Sequence, residues 1–318
     1  MKFLEFFTKP FIWCAVISVT LIAFTVFVLL DTFVLEERYM VVANGSITSL
    51  GTESSFSSSL STESTIPTMT QEADPYADFD SYYDGNVRIK ITRIKRYETE
   101  IYLAEIVISD IGYLRSAFAE NTFGRNIKAE PSVMAKEHNA ILAINGDFYG
   151  ARKRGYVFRN GTLYQSTIRR DSEEDDLLIY KDGSFGYINE EMTRAFTLAG
   201  SNVWHLLRFG PVLLDKGEIT VDENSERRKA KKPSPRTALG IFEPLHYLFV
   251  VADGRTDASP GLSLYELAEV MKEAGVISAY NLDGGGSSVM YYNGFVVNNP
   301  TDGKSEGERE VSDIVYIG

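Results

Sequence analysis

Residues 246–288 read HYLFVVADGRTDASPGLSLYELAEVMKEAGVISAYNLDGGGSS, and the architecture of the folded part of the chain can be predicted from them. Their first seven residues predict a buried strand, and the run 276–282 predicts another. Between them Ser263, with Glu266 three residues later, is typical of a capping box that begins a helix, and Gly275 ends that helix. A strand, helix, strand order predicts a right-handed crossover with a parallel pair of strands.

Further strands and turns extend this unit towards the N-terminus. Apolar and polar residues alternate over 87–92, and apolar runs at 101–108 and 141–144 predict buried strands. Two hairpins with Asn-Gly and Asp-Gly turns are predicted at 156–164 and 177–188. Pro131 suits the first turn of a short helix. Together these elements predict an α+β domain, a mixed β-sheet with packed helices, over residues 85–318.

Residues 10–33 are a predicted transmembrane anchor. The stretch 10–30, PFIWCAVISVTLIAFTVFVLL, holds no charge, and about 20 apolar residues suffice to span a bilayer. The alternative is a cleaved signal peptide, whose apolar core is shorter, about 7–15 residues, and ends near a small-residue cleavage site. Ala43 is the nearest such residue and lies well past the apolar run. We therefore expect an uncleaved signal-anchor, with Cys14 inside the membrane.

The charges on either side of this helix predict its orientation. Lys2 and Lys9 precede it, whereas Asp31 and Glu36 follow it. Positive charge favours the cytoplasmic side, so residues 1–9 are predicted to be cytoplasmic and the rest of the chain extracytoplasmic. The predicted location is the cell membrane, crossed once.

Residues 34–84 are predicted to be a linker and boundary zone. The segment 44–72, NGSITSLGTESSFSSSLSTESTIPTMTQE, is rich in Ser, Thr, Glu and Gly and shows no apolar period. Such a composition buries too little surface to offset the entropy of ordering, which predicts disorder. The segment is either a stalk that lifts the domain off the membrane or a tolerated spacer.

Composition excludes several classes of function. The 318 residues carry a formal net charge of −12, whereas nucleic-acid binding domains present a basic footprint, so no nucleic-acid partner is expected. A single cysteine excludes an intrachain disulfide framework and a cysteine-based zinc site. Three histidines disfavour a His-rich metal centre.

Acidic, glycine-flanked turns follow the predicted buried strands. Their sequences are NGDFYG at 145–150, DGR at 253–255 and DGGGSS at 283–288. Sites in such sheets lie beyond the strand ends, and glycines let the backbone approach a ligand closely. A single Asp-Gly pair is most often an ordinary turn, but three of them in one domain predict a shared site.

Arginine is the other signal in this acidic chain. Arg236 precedes an apolar segment, and Arg255 directly follows an Asp-Gly pair. Basic runs also occur at 152–154, 169–170 and 227–232. These runs are either solvated loops or parts of a local anion site, since arginine forms forked hydrogen bonds to phosphate.

The ordered set NGDFYG, PRTALG, VVADGR, NLDGGGSSVMYYNG and GEREVSDIVYIG resembles the phosphodiester glycosidase family, over about residues 85–318. Bacterial members of that family are often labelled exopolysaccharide biosynthesis proteins. The resemblance implies an enzyme that hydrolyses a sugar-1-phosphodiester, such as an α-N-acetylglucosamine-1-phosphate diester, in an envelope glycan or exopolysaccharide. The chain departs from the family at Asp147, where a second glycine is more usual.

The resemblance, with the chemistry of phosphate departure, implies roles for individual residues. The expected catalytic residues are Asp283 and Asp253, to activate water or stabilise the sugar cation, and Arg236 and Arg255, to stabilise the departing phosphate. The expected substrate-binding residues are Asn145, Asp147, Gly284, Gly285, Gly286, Ser287, Ser288, Arg309 and Glu310. Asp283→Asn and Arg236→Ala should each abolish turnover while leaving the fold intact.

Three functions remain to be distinguished at this point. The first is the glycosidase, the second is a non-catalytic glycan-binding or polysaccharide assembly factor on the same fold, and the third is a phosphodiesterase that attacks phosphorus. The partners expected for the first are a glycan or sugar-phosphodiester substrate and the membrane. No cofactor is expected, although the acidic loops offer oxygen ligands that suit a divalent cation.

Overall fold

The computed structural model describes residues 10–41, 78–170, 174–222, 232–303 and 305–318. The predicted cytoplasmic segment 1–9, the Ser/Thr-rich segment 44–72 and residues 227–231 of one basic run lie outside the described residues.

Helix α1, Pro10–Phe33, is the apolar segment predicted to be a membrane anchor. Its window Trp13–Asp31 has a mean hydropathy of 2.5 and is not buried by the rest of the molecule. By length and composition it is able to cross a membrane, as an anchor or as a signal sequence.

The largest sheet has eight strands, each antiparallel to its neighbours. In spatial order its strands are β14 (Glu218–Ile219), β13 (Val212–Asp215), β17 (Ser278–Asn281), β15 (Arg236–Glu243), β16 (His246–Ala252), β4 (Thr99–Ile108), β3 (Val87–Arg96) and β2 (Asp78–Tyr83).

The crossover predicted from 246–288 occurs, with one difference in pairing. Strands β16 and β17 run in the same direction, but β15 lies between them and pairs antiparallel with both. The expectation of a hydrogen-bonded parallel pair is therefore wrong. Helix α4, Leu264–Glu273, begins with the predicted capping box, in which Ser263 and Glu266 bond each other's backbone. The α+β class is confirmed, as a mostly β domain with few helices.

A second sheet of five strands packs against the first. Its order is β19 (Phe295–Val296), β18 (Met290–Tyr292), β7 (Leu142–Asn145), β22 (Asp313–Ile317) and β5 (Leu114–Phe118). The main core lies between the two sheets and includes Ile144, Leu239 and Val315. The outer face of the large sheet is covered by α4, and that of the second sheet by α2, Pro131–Glu137. Pro131 stands in the first turn of α2, as predicted.

A third sheet contains both predicted hairpins. Its order is β11 (Phe185–Ile188), β10 (Asp176–Tyr180), β12 (Val203–Leu207), β8 (Val157–Arg159) and β9 (Thr162–Gln165). The short helix α3, Ala195–Ala199, packs beside it. Two-stranded sheets join β20 (Thr301–Asp302) to β21 (Ser305–Glu306), and β1 (Glu37–Val41) to β6 (Thr122–Arg125).

The folded part extends beyond the predicted start at residue 85. Strand β2 begins at Asp78 and pairs with β3. Strand β1 lies directly after α1 and pairs with β6. Both strands fall in the segment 34–84 that the sequence assigns to linker and boundary, because neither has the clear apolar alternation that marks a half-buried strand.

A buried arginine joins two of the sheets beside the NGDFYG turn. Arg159, at the end of β8, is fully buried, and its Nη2 lies 2.9 Å from both Asp147 Oδ2 and Asp313 Oδ2. The guanidinium also donates to the carbonyls of Phe158 and Leu206. Burial raises the pKa of Asp313 to about 6, against the opposing charge of Arg159. One cation is thus shared by two acids in the interior.

Replacing this cation should destabilise the protein strongly. Arg159→Met leaves two carboxylates buried without a counter-ion, which typically costs about 3–5 kcal/mol. The measurement is denaturant unfolding of the full chain in detergent at neutral pH. The control is Arg93→Met, which removes an exposed ion pair of 2.8 Å with Glu100 and should cost less than about 1 kcal/mol. Equal losses in the two variants would contradict the stabilising role of Arg159.

Candidate active site

The glycine-rich turn after β17 places Asp283 at the end of the large sheet. Residues Gly285–Ser287 form a single 3-10 turn directly after it. The Asp283 side chain is buried, with 8% of the residue exposed, and Oδ1 accepts a hydrogen bond of 3.0 Å from the Gly284 N–H. This turn therefore holds a carboxylate just beneath the surface, where a ligand is able to reach it.

Ser287 and Arg309 influence the pKa of the Asp283 carboxyl. Burial raises the pKa of the Asp283 carboxyl, and a hydrogen bond from Ser287 and the charge of Arg309 oppose that shift. Arg309 Nη2 lies 2.7 Å from Ser287 Oγ and 3.8 Å from Asp283 Oδ2. The Ser287 hydroxyl accepts from Arg309 and donates to Asp283, so the three side chains form one chain of hydrogen bonds.

Two guanidinium groups meet at the rim of this turn. Arg255 Nη1 lies 3.8 Å from Asp302 Oδ1, and Arg309 Nη1 lies 3.6 Å from the same oxygen. The two arginine side chains are 33% and 37% exposed, so both cations face solvent as well as Asp302. A buried carboxylate 3.8 Å from one of two partly exposed guanidiniums is an arrangement that suits a substrate with a phosphate group.

The glycines allow this close approach. Gly285 has a φ of +65°, and a Cβ there would lie 2.6 Å from Arg255 Nη2. A Cβ at Gly286 would lie 2.5 Å from Asp302 Oδ1. A side chain at either position would displace a rim group, and the positive φ of Gly285 also favours glycine there.

Asn145 connects the two main sheets at the site. Its Nδ2 donates to the Asp283 carbonyl at 2.6 Å, and its Oδ1 accepts from Thr237 Oγ1 at 2.8 Å and from the Val289 N–H at 3.4 Å. The side chain is completely buried. Asn145 was expected to bind substrate, but its amide is occupied by the protein and positions the Asp283 turn.

Asp147 is likewise occupied by the protein. Besides its ion pair with Arg159, its carboxylate accepts from the backbone N–H groups of Tyr149 and Arg208, at 3.1 and 2.7 Å. It is buried, with 1% of the residue exposed. Because these bonds occupy the Asp147 carboxylate, they do not favour the contact with substrate that the sequence predicts for it. The fold supplies this buried acid with a buried cation.

Asp253 bonds the loop that carries Asp302. Its Oδ1 accepts from Asn298 Nδ2 at 3.2 Å and from the Asn299 N–H at 2.9 Å. Burial raises the pKa of Asp253 to about 6, and these hydrogen bonds oppose the shift. Arg255 in the same turn donates to the Thr301 carbonyl at 3.3 Å. The structure thus gives Asp253 a positioning function beside the catalytic one expected of it.

The Arg236 side chain points away from the Asp283 turn. It stands at the start of β15, and its Nε donates to the Leu262 carbonyl at 2.8 Å. The next residue, Thr237, faces Asn145, and successive side chains of a strand lie on opposite faces. The Arg236 backbone lies beside Gly284 in space, but its guanidinium supports another loop.

The remaining predicted site residues divide into buried and exposed. Ser288 is buried, and its hydroxyl has no hydrogen-bond partner among the described residues. Glu310 is exposed beside Arg309. Within the described ranges, no three His, Cys, Asp or Glu side chains are placed to hold a metal ion. The expectation that no cofactor is needed stays a prediction.

Sequence reasoning missed Asp302 and Thr237. Asp302 forms ion pairs with both rim arginines, and its Asp-Gly pair at 302–303 is the same turn signal that marks the other acidic loops. Thr237 orients Asn145 and carries no sequence signal, since a threonine in a strand is ordinary.

Known proteins share this sequence pattern and fold. A model of the phosphodiester glycosidase family matches residues 138–318. N-acetylglucosamine-1-phosphodiester alpha-N-acetylglucosaminidase of Mus musculus is 32% identical over 194 residues, which are 55% of this chain and 37% of the mouse protein. The SPbeta prophage-derived protein YomE of Bacillus subtilis is 26% identical over 200 residues, 61% of this chain and 30% of YomE.

A solved structure has the same fold. The catalytic domain of the zebrafish N-acetylglucosamine-1-phosphodiester alpha-N-acetylglucosaminidase, auto-inhibited by its pro-peptide, superposes with a TM-score of 0.58 at 22% identity. The match covers 76% of this chain and 86% of the zebrafish domain. The chain spans about a third of the length of the curated relatives it matches.

The raised pKa of Asp253 predicts a pH dependence of stability. Between about pH 4 and pH 6 the unfolded chain releases the proton of Asp253 and the folded chain keeps it, so the free energy of unfolding falls as pH rises. The loss contributed by this group is about 3 kcal/mol at most. Asp253→Asn should lack this contribution, so its stability relative to the wild type should rise between pH 4 and pH 7, measured by denaturant unfolding. An unchanged difference at the two pH values would contradict the assignment.

Proposed function

The chain belongs to the phosphodiester glycosidase family, and on that premise we propose that it hydrolyses a sugar-1-phosphodiester linkage. The substrate class is a glycan joined through a sugar-1-phosphate, such as an α-N-acetylglucosamine-1-phosphate diester in an envelope glycan or exopolysaccharide. One observation carries the proposal. The buried Asp283 carboxylate lies 3.8 Å from the guanidinium of Arg309, and Arg309 and Arg255 share Asp302 at 3.6 and 3.8 Å.

The charges of the site match the groups that develop during such a reaction. The bond between the anomeric carbon and the phosphate oxygen breaks, and its electron pair leaves with the phosphate. The guanidiniums of Arg255 and Arg309 face the charge that forms on the leaving group. A water oxygen bonds to the anomeric carbon, and Asp283 accepts its proton. The products are a free reducing sugar and a phosphate monoester.

The groups around Asp283 suit it to accept the proton of the attacking water. Its burial favours the neutral acid, whereas Ser287, Arg309 and the Gly284 N–H favour the carboxylate. The carboxyl is thus subject to opposing influences, and one of its two oxygens is able to accept a proton from water. Asn145 holds the turn through the Asp283 carbonyl, so the carboxylate keeps its place while its charge changes.

We also propose that α1 remains as an anchor and that the domain works outside the cytoplasm. Strand β1 follows α1 directly and pairs with β6 over Glu37–Val41. Cleavage of a signal peptide at Ala43, the small residue nearest to the apolar run, would remove β1 from that pair. A retained helix is consistent with a strand that belongs to the folded domain.

Replacing the acceptor or a rim cation should abolish most of the activity. Asp283→Asn should lower kcat by about 10²–10⁴-fold, since a positioned acid or base contributes that much. Arg309→Gln should lower it by about 10²–10³-fold through loss of charge stabilisation. The assay is release of reducing sugar by the full chain in detergent, from a panel of sugar-1-phosphodiesters, with and without a chelator.

Two further arginines are controls for this experiment. Arg88→Gln removes an exposed charge from β3 and should leave kcat unchanged. Arg236→Gln should lower the thermal stability through loss of the bond to the Leu262 carbonyl more than it lowers kcat. Near-normal rates in Asp283→Asn and Arg309→Gln, with intact folding, would contradict catalysis and favour a glycan-binding protein on this fold.

The bond that breaks is testable with isotopically labelled water. Attack at carbon places ¹⁸O on the released sugar, because the phosphate leaves with the bridging oxygen. We expect the label on the sugar, read by mass spectrometry of both products after a single turnover. Label on the phosphate monoester would show attack at phosphorus and would make the protein a phosphodiesterase.

A further inference from the structure

The segment that follows α1 is built into the edge of the folded domain. Strand β1 pairs antiparallel with β6, from Glu37 opposite Arg125 to Val41 opposite Thr122. The rings of Tyr39 and Phe123 lie 5.7 Å apart. A strand joined by both backbone and side-chain contacts is not a free tether.

Further contacts join the domain to the end of α1. Lys153 Nζ lies 2.5 Å from Asp31 Oδ2, and Arg125 Nη2 donates to the Asp31 carbonyl at 3.0 Å. Asn126 Nδ2 donates to the Leu35 carbonyl at 2.7 Å. Asp31 is the last residue of the apolar window. The loop around Lys153 and the C-terminal end of β6 therefore lie at the depth where the helix leaves the membrane.

The strands on either side of the Ser/Thr-rich segment both belong to the folded domain. Strand β1 ends at Val41, and β2 begins at Asp78. Both strands pair within the same folded unit. The domain is therefore joined to the end of α1 by β1 directly.

A basic run lies at this same place. Arg152, Lys153 and Arg154 are consecutive and exposed, directly after the turn Tyr149–Ala151. Only Lys153 of the three contacts Asp31. A local excess of positive charge beside a membrane helix contrasts with the net charge of −12 of the chain. This is one of the basic runs that the proposed catalytic site does not use.

We propose that Arg152 and Arg154, with Lys153 bonded to Asp31, form a surface that binds anionic phospholipid headgroups next to α1, so that the domain rests on the bilayer. The inference rests on the proposed retention of α1 as an anchor and is independent of catalysis. Attraction between a basic side chain and an anionic leaflet falls off within a Debye length, about 8 Å at physiological ionic strength. The contacts of Asp31 keep the run within such a distance of the headgroups.

The experiment measures which lipids surround this surface in the full chain. Cys14→Ser removes the native thiol, and Ala151→Cys, next to Arg152, carries a fluorescent donor. The protein is reconstituted into vesicles of phosphatidylcholine and phosphatidylglycerol, 7:3, with a trace of acyl-labelled acceptor on either lipid. Energy transfer to each acceptor reports the local density of that lipid.

The wild-type surface should concentrate the anionic acceptor over the neutral one. Each cation near the surface contributes about fivefold to the affinity for anionic lipid, so Arg152→Gln with Arg154→Gln should remove most of the enrichment. High salt should have the same effect on the wild type. The matched control, Arg88→Gln with Lys90→Gln, removes the same charge from exposed positions on β3 and should keep the enrichment.

Failure of the anchor and failure of the surface give different results. Release of the protein from membranes by carbonate would overturn both. Retention in membranes with equal densities of the two acceptors would overturn the lipid surface alone, as would enrichment that survives in the Arg152 and Arg154 variant. Enrichment lost equally in the β3 control would assign the effect to net charge and would also overturn the proposal.

Discussion

The site depends on one buried cation. Arg159 lies between Asp147 and Asp313 with no exposed surface, and its 2.9 Å contacts join the end of β8 to the NGDFYG turn and to β22. Burying three charges is tolerated only when each is paired. This requirement determines where the turn after β7 lies, and therefore where Asn145 directs its amide. The Asp283 turn is held by that amide, so the buried charge cluster contributes to the position of the Asp283 carboxylate.

The charge of the site differs from the charge of the chain. The net charge is −12, yet the rim of the Asp283 turn presents two guanidiniums that share one exposed acid. The burial of Asp283 and the partial exposure of the arginines separate an inner acid from outer cations. The net charge is a sum over the whole chain, whereas recognition of a phosphate depends on the few charged groups within a Debye length of that phosphate.

Most of the elements could be predicted because their signals are local. The capping box at Ser263, the Asn-Gly and Asp-Gly hairpin turns and the apolar run of β16 each depend on neighbouring residues, and each occurs as predicted. Two placements could not be predicted: that of β15 between β16 and β17, and that of β1 beside β6. Both depend on pairing partners that are distant in sequence. The stalk predicted from composition at 44–72 lies outside the described residues and stays a prediction.

Adjacent residues are enough to predict that acidic glycine turns follow buried strands and that Asp283 and Arg255 stand in them, whereas Arg309 was expected only from the resemblance to a family. Which polar groups bond the protein itself depends on tertiary packing. Asn145, Asp147 and Arg236 look equally suitable in the sequence, but their hydrogen bonds are taken up by Asp283, Arg159 and Leu262. A buried polar group must find a partner, and the identity of that partner is a property of packing between segments far apart in the chain.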